Sequence, residues 1–330
     1  MATRSFGFWL GLLVGATLLW LATRSVDFQA LGDSLRQANL AWSPPFLLVL
    51  FGFYALKASR WGILVAAVAR IPFRFLFRSV MLGYASNALL PAQLGDVVRA
   101  VVAAREMGLP TAPLLTTVVV ERAFDMIVVA GLLGVLVLVH PEIPGTIVMS
   151  GAILLAVCLL ALWFLHVYAS RTASVLRIAG RLLSRVRETR RLRILELLRS
   201  AAAGAAAIAQ IRPFLACLGL SIAKWLLMAG CNLASFWALG IDVPPAAALL
   251  VLAATALAMT LPSAPGYVGA IQFAYVFGLA PFGVSASDAI AASLYFHVLS
   301  YGSVVIAGVM YLHASGYRLA DLRQNVERNV

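Results

Sequence analysis

Lysine is almost missing from this chain. Lys57 and Lys224 are its only two, and arginine supplies the other basic residues. Acid is scarce as well, with 13 aspartates and glutamates in 330 residues, and charged residues together reach 12%. A soluble domain carries about 25%, so an ordinary water-facing surface is excluded. Cysteine is limited to Cys158, Cys217 and Cys231, all in apolar surroundings without metal-like spacing. They read as buried thiols rather than a disulfide framework or a metal site. Histidine is limited to His140, His166, His297 and His313, which are scattered. There is no His-Glu-x-x-His, Gly-x-Ser-x-Gly, Walker loop or Cys-x-x-Cys, which removes the common hydrolase, nucleotide and redox chemistries. No polar block is long enough for a soluble catalytic domain, and no metal or other cofactor is expected.

What is present is apolar sequence. Hydrophobic residues make up 62% of the chain and mean hydropathy is +0.95. Runs of 18 or more apolar residues recur, and as helices they match a hydrocarbon core of about 30 Å. The expected class is an all-α polytopic membrane protein. The first run, 6–22, follows Arg4 as a signal peptide would. It is long for that role, and "LATRSVD" is a poor small-x-small cleavage site, so it reads as a retained anchor.

Charge distribution sets the expected path. Nine arginines lie between Arg171 and Arg199 against Glu188 and Glu196. Between membrane segments this reads as a cytoplasmic, partly amphipathic helical loop beside anionic lipid, and not as a nucleic-acid site. Arg4 places the start inside, and "HPEIPG" and "GIDVPP", free of Lys and Arg, read as outside. Parity then requires 75–107 to enter and leave from the cytoplasm, and 246–261 with 266–280 to form a hairpin from the other face. The expectation is about six spanning helices plus two re-entrant hairpins arranged as an inverted repeat. The divisions are 1–42 (anchor helix and outside loop), 43–170 (first repeat), 171–205 (arginine-rich loop), 206–315 (second repeat) and 316–330 (tail). Both termini fall in the cytoplasm of a cell with this protein in its inner membrane.

The hairpins carry a shared break. "LPAQLGDV" and "LPSAPGYV" place Pro91/Gly95 and Pro262/Gly266 at the same spacing, 171 residues apart. Lys57 precedes its break by 34 residues and Lys224 by 38. The alternative, that Pro and Gly merely kink ordinary spanning helices, stays open.

Charges at membrane depth cost roughly 2.5–3.5 kcal/mol each on insertion scales. "VVVERAFDMIVV" puts Glu121 and Asp125 on one helix face, with Arg122 positioned to pair with Asp125. Two readings stand side by side: a polar cluster facing a substrate cavity, or an ion network pinning helices together. Asp96 and Arg99 follow the first break, as an anion-binding helix start or as a cap with a surface charge pair. Arg60 lies near enough to a helix end to snorkel. His297 reads as a packing or a working residue deep in a helix. Counting Arg60, the membrane holds five cations (Lys57, Arg60, Arg99, Arg122, Lys224) against three anions (Asp96, Glu121, Asp125).

"NALLPAQLGDVVRA", "VVVERAFDMIVV" and "LPSAPGYVGAIQFA", in this order, resemble the lysylphosphatidylglycerol synthase transmembrane-region family over nearly the whole chain. The resemblance rests on Asn87, Pro91, Gly95 and Arg99, on Glu121, Arg122 and Asp125, and on Pro262, Pro265, Gly266 and Gly269. Family members usually show Arg at Gln93, Glu at Asp96, Glu at Gln272 and an Arg near His297, so this chain carries less charge there. The aminoacyl-transferase domain of the family's bifunctional members is absent here. The resemblance implies movement of a lipid between leaflets rather than its synthesis, with a phospholipid or polyprenyl-phosphate lipid as partner. A membrane enzyme on a lipid-linked substrate is the alternative, and a scaffold or homodimer serving a partner lipid-modifying enzyme is a third. Candidate site residues are Lys57, Asn87, Pro91, Gly95, Asp96, Arg99, Glu121, Arg122, Asp125, Lys224, Pro262, Pro265, Gly266, Gln272 and His297; none is assigned a catalytic role.

Overall fold

The computed structural model describes residues 2–89, 95–139, 145–259 and 264–315, and among them every regular element is a helix. Pro91, Pro262 and the tail 316–330 lie outside the described residues. In chain order the α-helices are α1 (Ala2–Thr23), α2 (Phe28–Arg36), α3 (Ser43–Val65), α4 (Phe73–Leu89), α5 (Gly95–Met107), α6 (Thr111–Val139) and α7 (Gly145–Ser170). They continue with α8 (Thr172–Leu182), α9 (Glu188–Ala205), α10 (Ile211–Ala238), α11 (Pro245–Ala258), α12 (Ala270–Leu279) and α13 (Ala286–Ser315).

This is an all-α polytopic membrane protein. Three helices are long and apolar enough to cross a bilayer alone, at Leu40–Val65, Ile211–Ala238 and Ala286–Tyr311. Two bent pairs raise the number to five, with α2 turned 88° from α1 and α8 turned 89° from α7. α6 is 29 residues long and carries the Glu121-Arg122-x-x-Asp125 set. Large apolar side chains such as Leu48, Trp163 and Val298 are exposed at 76%, 62% and 68%. Surface of this kind drives aggregation in water and is the expected face toward lipid.

The breaks produce helices too short to cross. α4 and α5 have 17 and 13 residues, α11 and α12 have 14 and 10. At about 1.5 Å per residue, none reaches the roughly 30 Å of a hydrocarbon core. α4 and α5 lie side by side and antiparallel. Arg78 pairs with Glu106 at one end, and Gly83 meets Gly95 and Arg99 toward the other. The approach demands glycine, because a Cβ on Gly95 would stand 1.9 Å from the Gly83 carbonyl oxygen. α11 and α12 pack likewise, with Gly278 against Val251. Gly269, at φ 88°, holds its backbone against α1, where an added Cβ would meet Gly15 O at 2.0 Å.

The order α3–α4–α5–α6 recurs as α10–α11–α12–α13, with lengths of 23, 17, 13 and 29 against 28, 14, 10 and 30 residues. The packing repeats too. α6 lies on α11, and α13 lies on α4. The two leading helices, α3 and α10, pack on each other. Phe46 neighbours Cys231, Gly52 neighbours Leu227 and Arg60 bonds Ser221, so the two run antiparallel. The segment 171–205 is helical, and α9 seats Gly204 against Pro113 at the start of α6.

Candidate functional site: a buried ion network beside a cavity

α3 brings Tyr54, Lys57, Arg60, Trp61 and Leu64 to one buried side, the spacing of a single helix face. On α6, Glu121 and Asp125 are four residues apart and both buried. The two faces meet. Arg60 bridges both carboxylates, donating from Nη2 to Glu121 at 2.8 Å and from Nη1 to Asp125 at 2.6 Å. A planar fork with five donors suits that bridge. Its Nη1 also donates to Ser221 Oγ at 2.5 Å. Lys57 Nζ donates to Glu121 Oε1 and stands 3.9 Å from Asp125 Oδ2. From α5, Arg99 Nη1 donates to Glu121 Oε2 at 2.8 Å. From α10, Lys224 Nζ lies 2.8 Å from Asp125 Oδ1, and Trp225 Nε1 donates to the same oxygen at 3.2 Å.

The network continues to the first break. Arg99 Nε approaches Asp96 Oδ1 at 3.0 Å, and Arg122 donates from Nε to Asp96 Oδ2 at 2.7 Å with Nη2 on the same oxygen. Four helices thus supply eight linked charges, five positive and three negative. Arg99 Nε and Nη2 and Arg60 Nε are buried without a well-directed hydrogen-bond acceptor. Aromatic rings face the cations: Trp61 lies 5.0 Å from the Arg99 guanidinium, and Tyr84 5.5 Å from Lys57 Nζ.

Three expectations need correction. Arg60 does not snorkel; it is 0% exposed and central to the network, because two carboxylates one helical turn apart match its fork. Arg122 does not pair with Asp125. It points about 100° around the helix from Glu121, toward Asp96, while Asp125 turns inward to Arg60 and Lys224. Asp96 and Arg99 are not a surface pair, since Arg99 is 1% exposed.

A cavity borders this network. Asn87, Arg122, Asp125 and Lys224 line it, joined by Tyr54, Tyr84, Tyr267, Tyr301, Asn232, Ser300 and Thr255. Phe53, Trp225, Met228, Leu252, Phe296 and Val304 provide the apolar wall. Residues flanking both breaks, Asn87 and Tyr267, border it. Asn87 Oδ1 accepts from Gly95 N at 2.7 Å, tying the end of α4 to the start of α5. An added Cβ on Gly266 would lie 3.6 Å from Ala88 O and 3.8 Å from His297 Nε2, so the second break, with Pro265, sits against the end of α4. Gln272 caps α12, with Oε1 accepting from Gly269 N at 2.8 Å and Nε2 3.4 Å from His297 Nδ1. His297 stacks on the cavity-lining Tyr301 at 4.5 Å.

Of the candidate residues, seven join the ion network (Lys57, Asp96, Arg99, Glu121, Arg122, Asp125, Lys224) and six cluster at the breaks (Asn87, Gly95, Pro265, Gly266, Gln272, His297). Pro91 and Pro262 are not described. Sequence reasoning left Arg60 out of the candidate site and missed the tyrosines. The signal for Arg60 was its place three residues after Lys57 on a helix with aromatics to either side. Among the described residues no three of His, Cys, Asp or Glu cluster as a metal site.

An apolar helical bundle enclosing a charged network and a part-polar cavity defines an integral membrane protein. The chain belongs to the lysylphosphatidylglycerol synthase TM region family, whose family model spans residues 8–308. No curated protein and no solved structure matches it.

Proposed function

We propose that the protein is a lipid translocator. It moves a phosphate-bearing lipid or lipid-linked precursor between leaflets through the cavity at the junction of two inverted repeats. The observation that carries this reading is the cavity's lining. Arg122, Asp125 and Lys224 face the same space as a continuous apolar and aromatic wall, which fits a charged headgroup attached to a hydrocarbon tail. Charged groups inside a membrane are expensive and mark functional paths by default. A buried ion network is also weak support for stability, because desolvation offsets much of its attraction. The surplus of two positive charges favours phosphate over a cationic or neutral headgroup.

The inverted arrangement is part of the proposal. The packing of α6 on α11 and of α13 on α4 supports it, as do the leading helices, α3 and α10, which run antiparallel. A pair of equivalent spanning helices with opposite directions is what an inverted repeat requires. The broken hairpins then enter from opposite faces and meet near the cavity. The arginine-rich segment 171–205 and both termini lie on the cytoplasmic side of the inner membrane under this arrangement.

The test is a liposome assay with fluorescent lipids of different headgroup and no donor substrate, on wild type, Lys57→Ala and Lys224→Ala. Faster movement of phosphate-bearing than of phosphate-free lipids, slowed in both variants, is the expected result. Equal rates for the two lipid classes would overturn the phosphate preference, and no movement without a donor substrate would count against translocation and for an enzyme.

A further inference from the structure

Several buried hydroxyls in this bundle bond within their own helix. Thr117 donates to the Leu114 carbonyl, Ser221 to that of Cys217, Ser235 to that of Asn232 and Ser300 to that of Phe296. A hydroxyl in an apolar helix satisfies itself in this way, by reaching back three or four residues. Thr255 on α11 does not. Its Oγ1 is buried and has no hydrogen-bond partner. Ser79 Oγ shares that condition, but of the two only Thr255 lines the cavity. Four tyrosines line the same cavity, Tyr54, Tyr84, Tyr267 and Tyr301, and among the described residues none of their hydroxyls is bonded either. Uncharged hydroxyls from α3, α4, α11, the second break and α13 therefore border one space with their hydrogen bonds unmade. A membrane interior has no water to complete them.

The charged part of the lining is one-sided. Arg122 and Lys224 face the cavity, and Asp125 is the carboxylate beside them. Asp125 Oδ1 already has Arg60, Lys224 and Trp225 on it, and Oδ2 stands 3.9 Å from Lys57. Among the described residues no other carboxylate lines the cavity. A phosphodiester entering it meets two cations. An ammonium attached to that phosphate would meet the same cations and an acid that is already neutralised. The groups that still lack partners are hydroxyls, carried on aromatic rings that also offer apolar faces.

We infer that the cargo's headgroup beyond the phosphate is an uncharged polyol, a sugar or cyclitol ring, rather than an amine. This inference rests on the translocator reading and narrows its substrate. A hydroxyl both donates and accepts, so one tyrosine can donate to a phosphate oxygen and accept from a neighbouring ring hydroxyl. Thr255 gains the partner that its own helix does not supply. A site built to pair hydroxyls discriminates against ligands that lack them, because its own groups are then left unpaired.

The test is calorimetric binding of dioctanoyl lipids to the purified full chain: phosphatidylinositol, phosphatidylmethanol, phosphatidylcholine and uncharged dioctanoylglycerol. The first two carry the same single negative charge on a phosphodiester and differ in the ring. Wild type should prefer phosphatidylinositol over phosphatidylmethanol roughly a hundredfold, with phosphatidylcholine no tighter than phosphatidylmethanol. Thr255→Val and Tyr301→Phe should each cut that preference about tenfold, the effect of one hydrogen bond to the ring. Thr255→Val keeps the shape of the side chain and loses no bond made by the protein, so its melting temperature should match wild type. Equal binding of the two anionic lipids, or an unchanged preference in both variants, would overturn the inference and leave translocation of a phosphate lipid standing. Tightest binding of phosphatidylcholine would overturn it in favour of an aromatic cage for a quaternary ammonium. No phospholipid bound above dioctanoylglycerol would overturn the translocator reading as well.

Discussion

Lys57 and Lys224 stand at the same level of the antiparallel pair α3 and α10, and both reach Asp125, at 3.9 and 2.8 Å. The chain's only lysines therefore meet across the contact between its two helical quartets. Asp125 is the point at which the quartets are tied by charge, since Arg60 and Lys57 come from one and Lys224 from the other.

Asp125→Asn should destabilise strongly. It leaves Lys224 without a carboxylate and removes one of the two bridged by Arg60, in a place with almost no exposure. Breaking one partner of a buried ion pair costs about 3–5 kcal/mol. Arg122→Ala should differ. Its side chain is 45% exposed, and its partner Asp96 also has Arg99 nearby, so the loss should stay near 1 kcal/mol or below. Thermal unfolding of the detergent-solubilised variants measures both. Wild-type stability in Asp125→Asn would mean that water already shares the network.

Gly95→Ala should open the first hairpin, because the new methyl would overlap the Gly83 carbonyl, backbone against backbone. Neither partner has a flexible end that can yield. Gly131→Ala on α6 meets nothing within 4 Å and should be neutral or gain up to about 1 kcal/mol from helix propensity. Expression yield and melting temperature of the pair separate close packing from a general intolerance of glycine substitution. Equal behaviour of the two would show that the hairpin adjusts.

The helix class was legible in composition, since so few charges leave only the bilayer as solvent. The charges that matter were legible too, because Lys57, Glu121, Asp125 and Lys224 each interrupt apolar sequence. What the sequence hid was pairing. Helical spacing shows that Glu121 and Asp125 share a face, but Arg122 is drawn to Asp96, 26 residues away, and only the packing of α5 on α6 reveals this. Arg60 looked like a helix-end residue until two acids on another helix faced it. The cavity tyrosines gave no signal, since aromatics are common in membrane helices and their convergence from α3, α4, α13 and the second break is a property of the fold.

Pro110→Cys and Pro281→Cys should report the direction of the two quartets. Both residues are exposed, just before α6 and just before α13. In a background with Cys158, Cys217 and Cys231 replaced, an impermeant thiol reagent added to sealed vesicles should label only one of them. The other should react only after the membrane is opened. Labelling of both from the same side would remove the inverted arrangement and, with it, the opposed entry of the hairpins.

Tyr54→Phe and Tyr267→Phe should separate binding from folding. Tyr54, Tyr84, Tyr267 and Tyr301 line one cavity, yet among the described residues none of their hydroxyls has a hydrogen-bond partner. Tyr54 and Tyr267 are only 3% and 7% exposed. Their hydroxyls open on the cavity and are not among the buried unsatisfied atoms, so the fold makes no hydrogen bond that phenylalanine would break. Phenylalanine keeps the ring packing, such as the edge contact of Phe53 on Tyr54 at 5.2 Å. Each variant should therefore melt at or slightly above the wild-type temperature. If the hydroxyls donate to a lipid phosphate, each removal should slow lipid movement roughly tenfold, the value of one lost hydrogen bond to a charged group of about 1.5 kcal/mol. Lowered stability with unchanged transport would reverse this assignment and make the tyrosines part of the scaffold.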